Sequence, residues 1–428
     1  MLSFSISTRK FVLYLSLPLI GLLPINLPCA DEAAQNLYAK FSESVYQIEV
    51  ITPGVETKSS LGTGFVVGRE NILASNFHVV SDVVNEPDQY KLEWQNVRGE
   101  RGPLTVIAVD VVHDLSLLKA EQPMGTPFAT GSLPEKGTAL YSMGHPYALD
   151  LSIVAGTANG LLENSVYEKI HFTGSINSGM SGGPTINTAG EVVGINVASA
   201  GNSVGFLVPV HYLEVLLLKN QENDFSGDAD LTESIGEQLH NSQEALFGEL
   251  LAGDWPTQQV GPFQVPGTIS KRLSCWGDNA LEKDDRKHRE VSSICSGQDS
   301  IFLSRRQRAG IISYEFFWLE SKSLSNRAFY WMYQNHHNSS FFPGASETDV
   351  GNFTCSTKFI TLSGQDFKAN VCARPYKRFP GLVDFMVLMA LVGHEKEGFI
   401  FTLDLATVTL DNGMNLFERF LEQFTWQP

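Results

Sequence analysis

The chain has 428 residues, of which 43% are hydrophobic and 18% are charged, and its formal net charge at pH 7 is -17. A chain of this length is expected to form about two to three domains with their own hydrophobic cores. Binding to phosphate groups requires a basic surface, so the negative charge argues against a nucleic-acid partner. It argues equally against adhesion to an anionic membrane surface.

The first 30 residues have the pattern of a secretory signal peptide. Arg9 and Lys10 form a short basic region, and an apolar run from residue 11 to 27 ends before the small residues Cys29 and Ala30. An uncleaved membrane anchor is the alternative, but the run is short for a membrane span and contains two prolines. We therefore expect cleavage of residues 1–30, export of the remainder and no stable membrane insertion afterwards.

Short strands separated by glycine and polar turns are predicted throughout residues 31–218. They follow a segment at 32–50 that looks helical at first and then extended, and a short apolar helix at 210–218 closes the region. Regular short strands without intervening helices predict a β-barrel or sandwich. The predicted strands are 61–67, 106–112, 115–119, 139–143, 191–197 and 204–208.

Residues 219–254 are interpreted as an acidic helical connector. Between Gln221 and Asp254 the chain carries nine carboxylates and no lysine or arginine. Apolar residues recur there at helix-compatible spacing, which predicts an amphipathic helix with a solvated face. A regulatory tail is the alternative. The recurring apolar residues are Leu231, Ile235, Leu239, Leu246 and Leu250.

Residues 255–428 differ in composition from the preceding part of the chain, with dense aromatic clusters at 314–318 and 329–333. We interpret these clusters as core, and the basic patches at 286–289 and 305–308 as solvated faces. A strand is predicted at 402–410 and a closing helix at 414–424. Together these features predict a compact α+β domain whose role the sequence does not reveal.

Four of the five cysteines lie in this C-terminal region, and an even number in an exported chain predicts disulfides. Local pairing is the simplest of three connectivities, and each closed loop would contribute roughly 3 kcal/mol of stability. A zinc site is the alternative, but the CxxC spacing typical of such sites is missing from the sequence. Local pairing would join Cys275 to Cys295 and Cys355 to Cys372.

Three segments of the first region fit one catalytic mechanism. His78 follows a predicted strand, and Asp114 precedes another. Neither alone is distinctive, but Ser181 is set among three glycines in the segment 179–184. Glycines allow a backbone that side chains would obstruct, so such a turn can present a hydroxyl and aim successive amide N–H groups at one point.

In the order His, Asp, Ser, these segments resemble the chymotrypsin-fold serine proteases, and most closely the HtrA/Deg branch of exported bacterial proteases. The resemblance covers residues 62–210 and implies a mainly β chain with a double six-stranded β-barrel protease domain. It also favours a periplasmic location, as an alternative to full secretion. The matching segments are 76–80, 113–119, 143–146 with 152–156, 176–184, 193–196 and 204–209.

The resemblance implies a serine endopeptidase that acts on protein or peptide substrates through an acyl-enzyme. Ser181 would be the nucleophile, His78 the general base and Asp114 the residue that orients the histidine. The backbone N–H groups of Gly179 and Ser181 would form the oxyanion hole. His113 is a possible competing base, but strand alternation points it to the opposite face.

Two departures from the family pattern stand out. Met180 lies where the family often has Asn or Asp, and no glycine-rich loop of a peptide-binding PDZ module follows the protease region. Ser175, Val197 and Ala198 are expected to line the primary pocket, where no acidic residue favours lysine or arginine. We expect a small or medium aliphatic residue before the cut, and neither a metal nor an organic cofactor.

The alternative hypothesis is an inactive protease fold that serves as a binding scaffold. In that case the C-terminal domain would recognise a peptide or protein partner. The oligomeric state stays open.

Overall fold

The structure is a computed structural model that describes residues 32–427 with short gaps. The predicted signal peptide and Cys29 lie outside the described residues. The internal residues left out are 55–56, 163, 166, 200, 202–203, 280–286, 298, 322 and 337–344.

The first part of the chain folds into a closed six-stranded barrel. Its helices are α1 (Glu32–Phe41) and α2 (Phe77–Asn85), and its strands are β1 (Val45–Thr52), β2 (Thr57–Val66), β3 (Ile72–Ser75), β4 (Lys91–Gln95), β5 (Arg101–Asp110) and β6 (Leu115–Ala120). The strand order is β1-β2-β3-β6-β5-β4, with antiparallel neighbours. Inward-facing residues such as Ile48, Val50 and Leu118 are fully buried and fill the interior.

A second closed barrel follows directly. Its strands are β7 (Ala139–Gly144), β8 (Ser152–Leu161), β9 (Ile170–Phe172), β10 (Pro184–Ile186), β11 (Val192–Ser199) and β12 (Gly205–Pro209), and helix α3 (Val210–Gln221) ends it. The order is β10-β11-β12-β9-β8-β7. Leu140, Phe172 and Leu207 are fully buried in its interior. The predicted mainly β fold with two six-stranded barrels is therefore confirmed.

Some predicted boundaries are wrong by a few residues. The strand predicted at 106–112 begins earlier and ends at Asp110, because residues 111–114 form the turn that carries Asp114. The helix predicted at 210–218 continues to Gln221.

Helix α4 (Leu231–Ala252) connects the barrels to the C-terminal region. The Asp230 side chain caps it by accepting hydrogen bonds from the backbone N–H groups of Thr232 and Glu233. Gln238 binds the first barrel, since its amide accepts from Val111 N at 2.8 Å and donates to Val109 O at 2.9 Å. On its other side α4 packs on the C-terminal sheet, so only part of its surface is solvated.

The C-terminal region is built on a seven-stranded sheet with the order β15-β16-β19-β23-β22-β21-β20. Its neighbouring strands are all antiparallel. The strands of the region are β13 (Thr257–Val260), β14 (Phe263–Pro266), β15 (Leu273–Asn279), β16 (Arg289–Gly297), β17 (Ile301–Ser304), β18 (Gln307–Ala309), β19 (Ile312–Glu320), β20 (Thr354–Leu362), β21 (Gln365–Pro375), β22 (Leu382–Leu391), β23 (Glu397–Thr409) and β24 (Thr425–Trp426).

Two helices join this sheet, α5 (Asn326–His336) and α6 (Leu410–Glu422). Tyr314, Phe316, Phe401 and Phe420 are fully buried between the sheet and α6, which agrees with the interpretation of the first aromatic cluster as core. Among the described helices, none is both long and apolar enough to span a bilayer.

Each disulfide joins an outer strand of the sheet to its inner neighbour. Cys275 on β15 is bonded to Cys295, its direct partner on β16, and Cys355 on β20 is bonded to Cys372 on β21. Edge strands have hydrogen-bond neighbours on one side only, so these bonds tether the least supported strands.

Asp404 gives the C-terminal sheet a pH-dependent stability. Its side chain lies on β23 and the residue is 9% exposed. Burial, together with the nearby Glu315 carboxylate, raises the pKa of Asp404 to about 7. The folded state therefore keeps a proton that the unfolded chain releases near pH 4, so stability falls as the pH rises from about 4 to about 7.

We predict that Asp404→Asn removes this dependence, because the amide does not titrate. Asp404 accounts for a loss on the order of 4 kcal/mol across this range. Urea unfolding at pH 5 and pH 8 should show a smaller difference for the variant than for the wild type. The exposed Asp366→Asn serves as the control, and an equal pH dependence in Asp404→Asn and wild type would contradict the prediction.

Candidate active site

His78 and Asp114 form a pair with two points of contact. His78 is the second residue of α2, and Asp114 lies in the turn between β5 and β6. The ring Nδ1 of His78 is 2.6 Å from Asp114 Oδ2, and the backbone N–H of His78 donates to Asp114 Oδ1 at 2.8 Å. The carboxylate thus fixes the orientation of the imidazole and leaves Nε2 as the nitrogen free for chemistry.

The backbone of Asp114 is held in an unusual conformation. Its φ is 56°, in the left-handed region that Asp tolerates better than most residues. The Asp114 carbonyl accepts hydrogen bonds from Asn76 Nδ2 at 2.8 Å and from Phe77 N at 3.2 Å. These bonds lock the turn against the start of α2, so the same short segment positions both members of the pair.

His113 is turned away from this pair. Its Nδ1 lies 2.7 Å from Asp110 Oδ2, and its ring stacks on Tyr212 with the ring centroids 3.7 Å apart. The neighbouring histidine therefore has its own carboxylate partner and does not contact Asp114 through its ring.

The loop that carries Ser181 requires its glycines. Gly179 has φ 93°, and a Cβ there would lie 2.3 Å from the His145 carbonyl oxygen. Gly182 has φ 83°, and a Cβ there would lie 2.3 Å from the Thr63 carbonyl oxygen. Both the positive φ and the close backbone approach exclude larger residues.

Thr63 on β2 anchors this loop of the second barrel to the first barrel. Its backbone N donates to Ser181 O at 2.8 Å, and its Oγ1 donates to Gly179 O at 2.7 Å. The same hydroxyl accepts from His145 N at 3.1 Å. A Cβ on Gly182 would lie 2.8 Å from Asn76 N, so the loop adjoins the start of α2. No local sequence pattern indicates Thr63, whose role depends on contacts between the barrels.

Asn196 supports the loop from the other side. It is fully buried on β11, and its Nδ2 donates to the carbonyls of Met143 and Met180, each at 3.1 Å. Its Oδ1 accepts from the hydroxyls of Ser142 and Thr185, each at 2.7 Å. Both N–H donors and both lone pairs of the amide oxygen are thus satisfied. The sequence feature that could have identified Asn196 is that it is a single polar residue inside an apolar strand.

Ser181 Oγ is 3.5 Å from the carbonyl oxygen of Val197, at the limit of a hydrogen bond. Within the described part of the chain it has no hydrogen bond to His78, and the N–H groups of Gly179 and Ser181 donate to no acceptor. A rotation about the Cα–Cβ bond of Ser181 moves the hydroxyl, and such contacts often tighten only when substrate binds.

His145 lies beside this loop without charge at neutral pH. It is 4% exposed, and burial lowers its pKa to about 4. Among the described residues its Nδ1 has no hydrogen-bond partner. The residue therefore contributes its backbone to the loop and no positive charge.

Met180 points into the second barrel. It is fully buried in a cluster that includes Leu140 and Phe172. This burial explains how an apolar residue fits between Gly179 and Ser181. The Met180 side chain packs between the loop and the interior of the second barrel, and the Met180 backbone remains on the side of the site.

The three predicted pocket residues are placed differently. Ser175 is exposed just before the loop, and Val197 is 9% exposed, with its carbonyl toward Ser181. Ala198 pairs with Phe206 after a register shift between β11 and β12. The Ala198 side chain is not among those described, so only the backbone of Ala198 is placed at the predicted pocket.

Part of this chain is similar in sequence to known proteins. Residues 62–195 match the model of the trypsin-like peptidase domain. Serine protease HTRA4 of Mus musculus is 26% identical over 238 residues, covering 49% of this chain and 48% of that protein. Mitochondrial serine protease HTRA2 of Bos taurus is 28% identical over 229 residues, with the same coverage of both proteins.

Among solved structures, the crystal structure of Deg5 is similar, with 26% sequence identity and a TM-score of 0.39. The match covers 44% of this chain and 94% of the Deg5 chain. This chain spans about half the length of the two curated relatives named above. The family match falls on the segment that holds His78, Asp114 and Ser181. Residues 62–195 are therefore similar to trypsin-like peptidase domains, and HtrA serine proteases are among the proteins that this chain resembles.

Proposed function

We propose that this chain is a serine endopeptidase in which Ser181 is the nucleophile, His78 the general base and Asp114 the residue that orients the histidine. The observation that carries the proposal is the two-point contact of Asp114 with His78 beside a glycine loop that presents Ser181. A carboxylate that binds Nδ1 selects the tautomer whose Nε2 accepts a proton, which a serine nucleophile requires. The trypsin-like family match supports the same assignment.

In this mechanism Ser181 Oγ attacks the carbonyl carbon of the substrate peptide bond while His78 Nε2 takes the hydroxyl proton. The N–H groups of Gly179 and Ser181 stabilise the negative oxygen of the tetrahedral intermediate. The C–N bond then breaks, and His78 gives its proton to the leaving amine. Water activated by His78 hydrolyses the acyl-enzyme, and Asp114 stays ionised throughout.

The substrates we propose are proteins or peptides with a small or medium aliphatic residue before the cut. Ser175, Val197 and Ala198 would line the primary pocket, and none of them carries a charge to pair with lysine or arginine. We further propose a secreted or periplasmic location after removal of residues 1–30. The two disulfides support this, since such bonds persist in oxidising compartments.

One observation favours the alternative of an inactive scaffold. The hydroxyl of Ser181 faces the Val197 carbonyl instead of His78. The two functions differ in a direct test, because only an active nucleophile forms a covalent adduct with a fluorophosphonate probe.

We predict that wild-type protein is labelled by the probe at Ser181 and that Ser181→Ala loses both the label and casein cleavage. Removal of the nucleophile leaves only residual catalysis, so the rate should fall by about 10⁶-fold. Peptide mapping of the adduct identifies the labelled residue. The exposed Ser132→Ala is the matched control and should retain both activities. Folded wild-type protein that neither labels nor cleaves would support the scaffold instead.

We also predict that Asp114→Asn lowers kcat by about 10⁴-fold, because an amide presents the wrong partner to His78 Nδ1 and the histidine loses its productive tautomer. Steady-state cleavage of a fluorogenic peptide measures this loss, and circular dichroism checks the fold.

Asp110→Asn is the control for this prediction, since Asp110 forms the equivalent pair with His113. It should change kcat by less than about threefold, well under 1 kcal/mol of barrier. An equal loss of kcat in the two variants would mean that Asp114 has no special role.

A further inference from the structure

A hairpin of the C-terminal region reaches the peptidase domain. It consists of β17 and β18, residues 301–309, and it packs against α2, the helix that begins at Phe77 and carries His78. Ile301, Leu303 and Ala309 are buried in one cluster that also contains Phe77 and Val111. The hairpin therefore shares a hydrophobic core with the elements that hold the His78–Asp114 pair.

Polar contacts fix this hairpin to both barrels. Arg305 pairs with Asp82 on α2 at 3.0 Å, and the Leu303 carbonyl accepts from Asn85 Nδ2 at 3.0 Å. Just before the hairpin, Asp299 forms an ion pair with Lys169 of the second barrel. With these anchors on both sides, the hairpin has a defined position relative to the site.

The edge of the site is formed by a stack of three side chains. The Phe302 ring meets the His78 ring edge-on, with centroids 5.9 Å apart. The Arg308 guanidinium lies over the same phenylalanine, with its carbon 4.3 Å from the ring centroid. Phe302 therefore contacts both the imidazole of His78 and the guanidinium of Arg308. The His78 side chain remains 27% exposed, so the hairpin borders the site without closing it.

Arg308 is not the solvated residue that the basic patch at 305–308 predicts. Its side chain is half-buried, and burial lowers its pKa while the Asp114 carboxylate acts in the opposite direction. A guanidinium remains charged at neutral pH under such conditions. Its positive charge therefore interacts with the Asp114 carboxylate that binds His78. A cation at this place disfavours a second positive charge nearby.

We propose that Arg308, held in place by Phe302, is a positioning residue of the peptidase site that favours the neutral, proton-accepting form of His78. The C-terminal region thereby completes the active site of a domain from another part of the chain. This inference rests on the proposed peptidase function, since a general base must be neutral before it can accept the serine proton.

Other ionisable groups near the pair have partners that the test leaves unchanged. On α2, Asp82 is paired with Arg305, and in the turn before Asp114 the Asp110 carboxylate is paired with His113. From the second barrel, Tyr167 interacts with Asp114, and its burial raises its pKa, so it stays neutral. Beside the hairpin, Lys169 and Asp299 pair with each other.

The test is a pH titration of His78 in the full chain, labelled with ¹³C in its histidines and followed by NMR, with His78→Gln to assign the signal. In Arg308→Gln the pKa of His78 should rise by about half a unit or more, because the nearby positive charge is gone. Arg308→Lys keeps the charge and should shift it by less than half as much. Arg306→Gln removes the same charge from the exposed turn of the hairpin and should leave the pKa unchanged.

Phe302→Leu tests separately whether the Phe302 ring holds Arg308 in place. It should raise the pKa of His78 in the same direction as Arg308→Gln, and the double variant should show no more than the shift of Arg308→Gln alone, since both changes act through one arginine. In active protein, the acid limb of kcat/KM against pH should move to higher pH by the same amount.

An unchanged pKa of His78 in folded Arg308→Gln would overturn this inference, as would an equal shift in Arg306→Gln. Near-ultraviolet circular dichroism confirms that each variant keeps its packing. Because the titration follows His78 directly, it tests the effect of Arg308 on His78 independently of peptidase activity. Absence of fluorophosphonate labelling in the wild type would instead overturn the proposed function.

Discussion

The hydrogen bonds of Thr63 hold the two barrels together at the point where the chemistry is proposed. His78 and Asp114 belong to the first barrel and Ser181 to the second, so their relative position depends on contacts that cross the boundary. Thr63 N binds the Ser181 carbonyl, and Thr63 Oγ1 binds the Gly179 carbonyl. Thr63 is fully buried, where a lost hydrogen bond is costly because water does not replace it. The loop thus has one supported conformation against the first barrel.

The same loop is supported by Asn196 from within its own barrel, and the histidine–aspartate pair is supported by Asn76 and by the C-terminal hairpin. Each group proposed to react is therefore held by a residue outside the proposed triad. Catalysis by positioning requires this rigidity, since small displacements from the productive geometry lower the rate strongly. The C-terminal sheet and α4 add a second layer, because they bury the outer face of the elements that carry the pair.

The candidate site residues could be proposed from the sequence because their signals are local. A serine among three glycines indicates a tight turn. The alternating strand after Asp114 indicates that Asp114 lies at the end of a strand. Thr63, Phe302 and Arg308 gave no such signal. Their roles arise from segments more than 100 residues apart in the chain, and local periodicity contains no information about which distant surfaces meet. Arg308 in particular is part of a basic run that looks solvated until Phe302 covers it.

The sequence by itself determined the succession of short strands, the amphipathic helix α4 and the glycine loop, since backbone preference and hydrophobic pattern act over a few residues. Only the tertiary structure decided that the two barrels meet through Thr63, that α4 packs between the first barrel and the C-terminal sheet, and that a C-terminal hairpin borders His78. These features depend on the burial of apolar surface between distant segments, which only the assembled fold brings into contact.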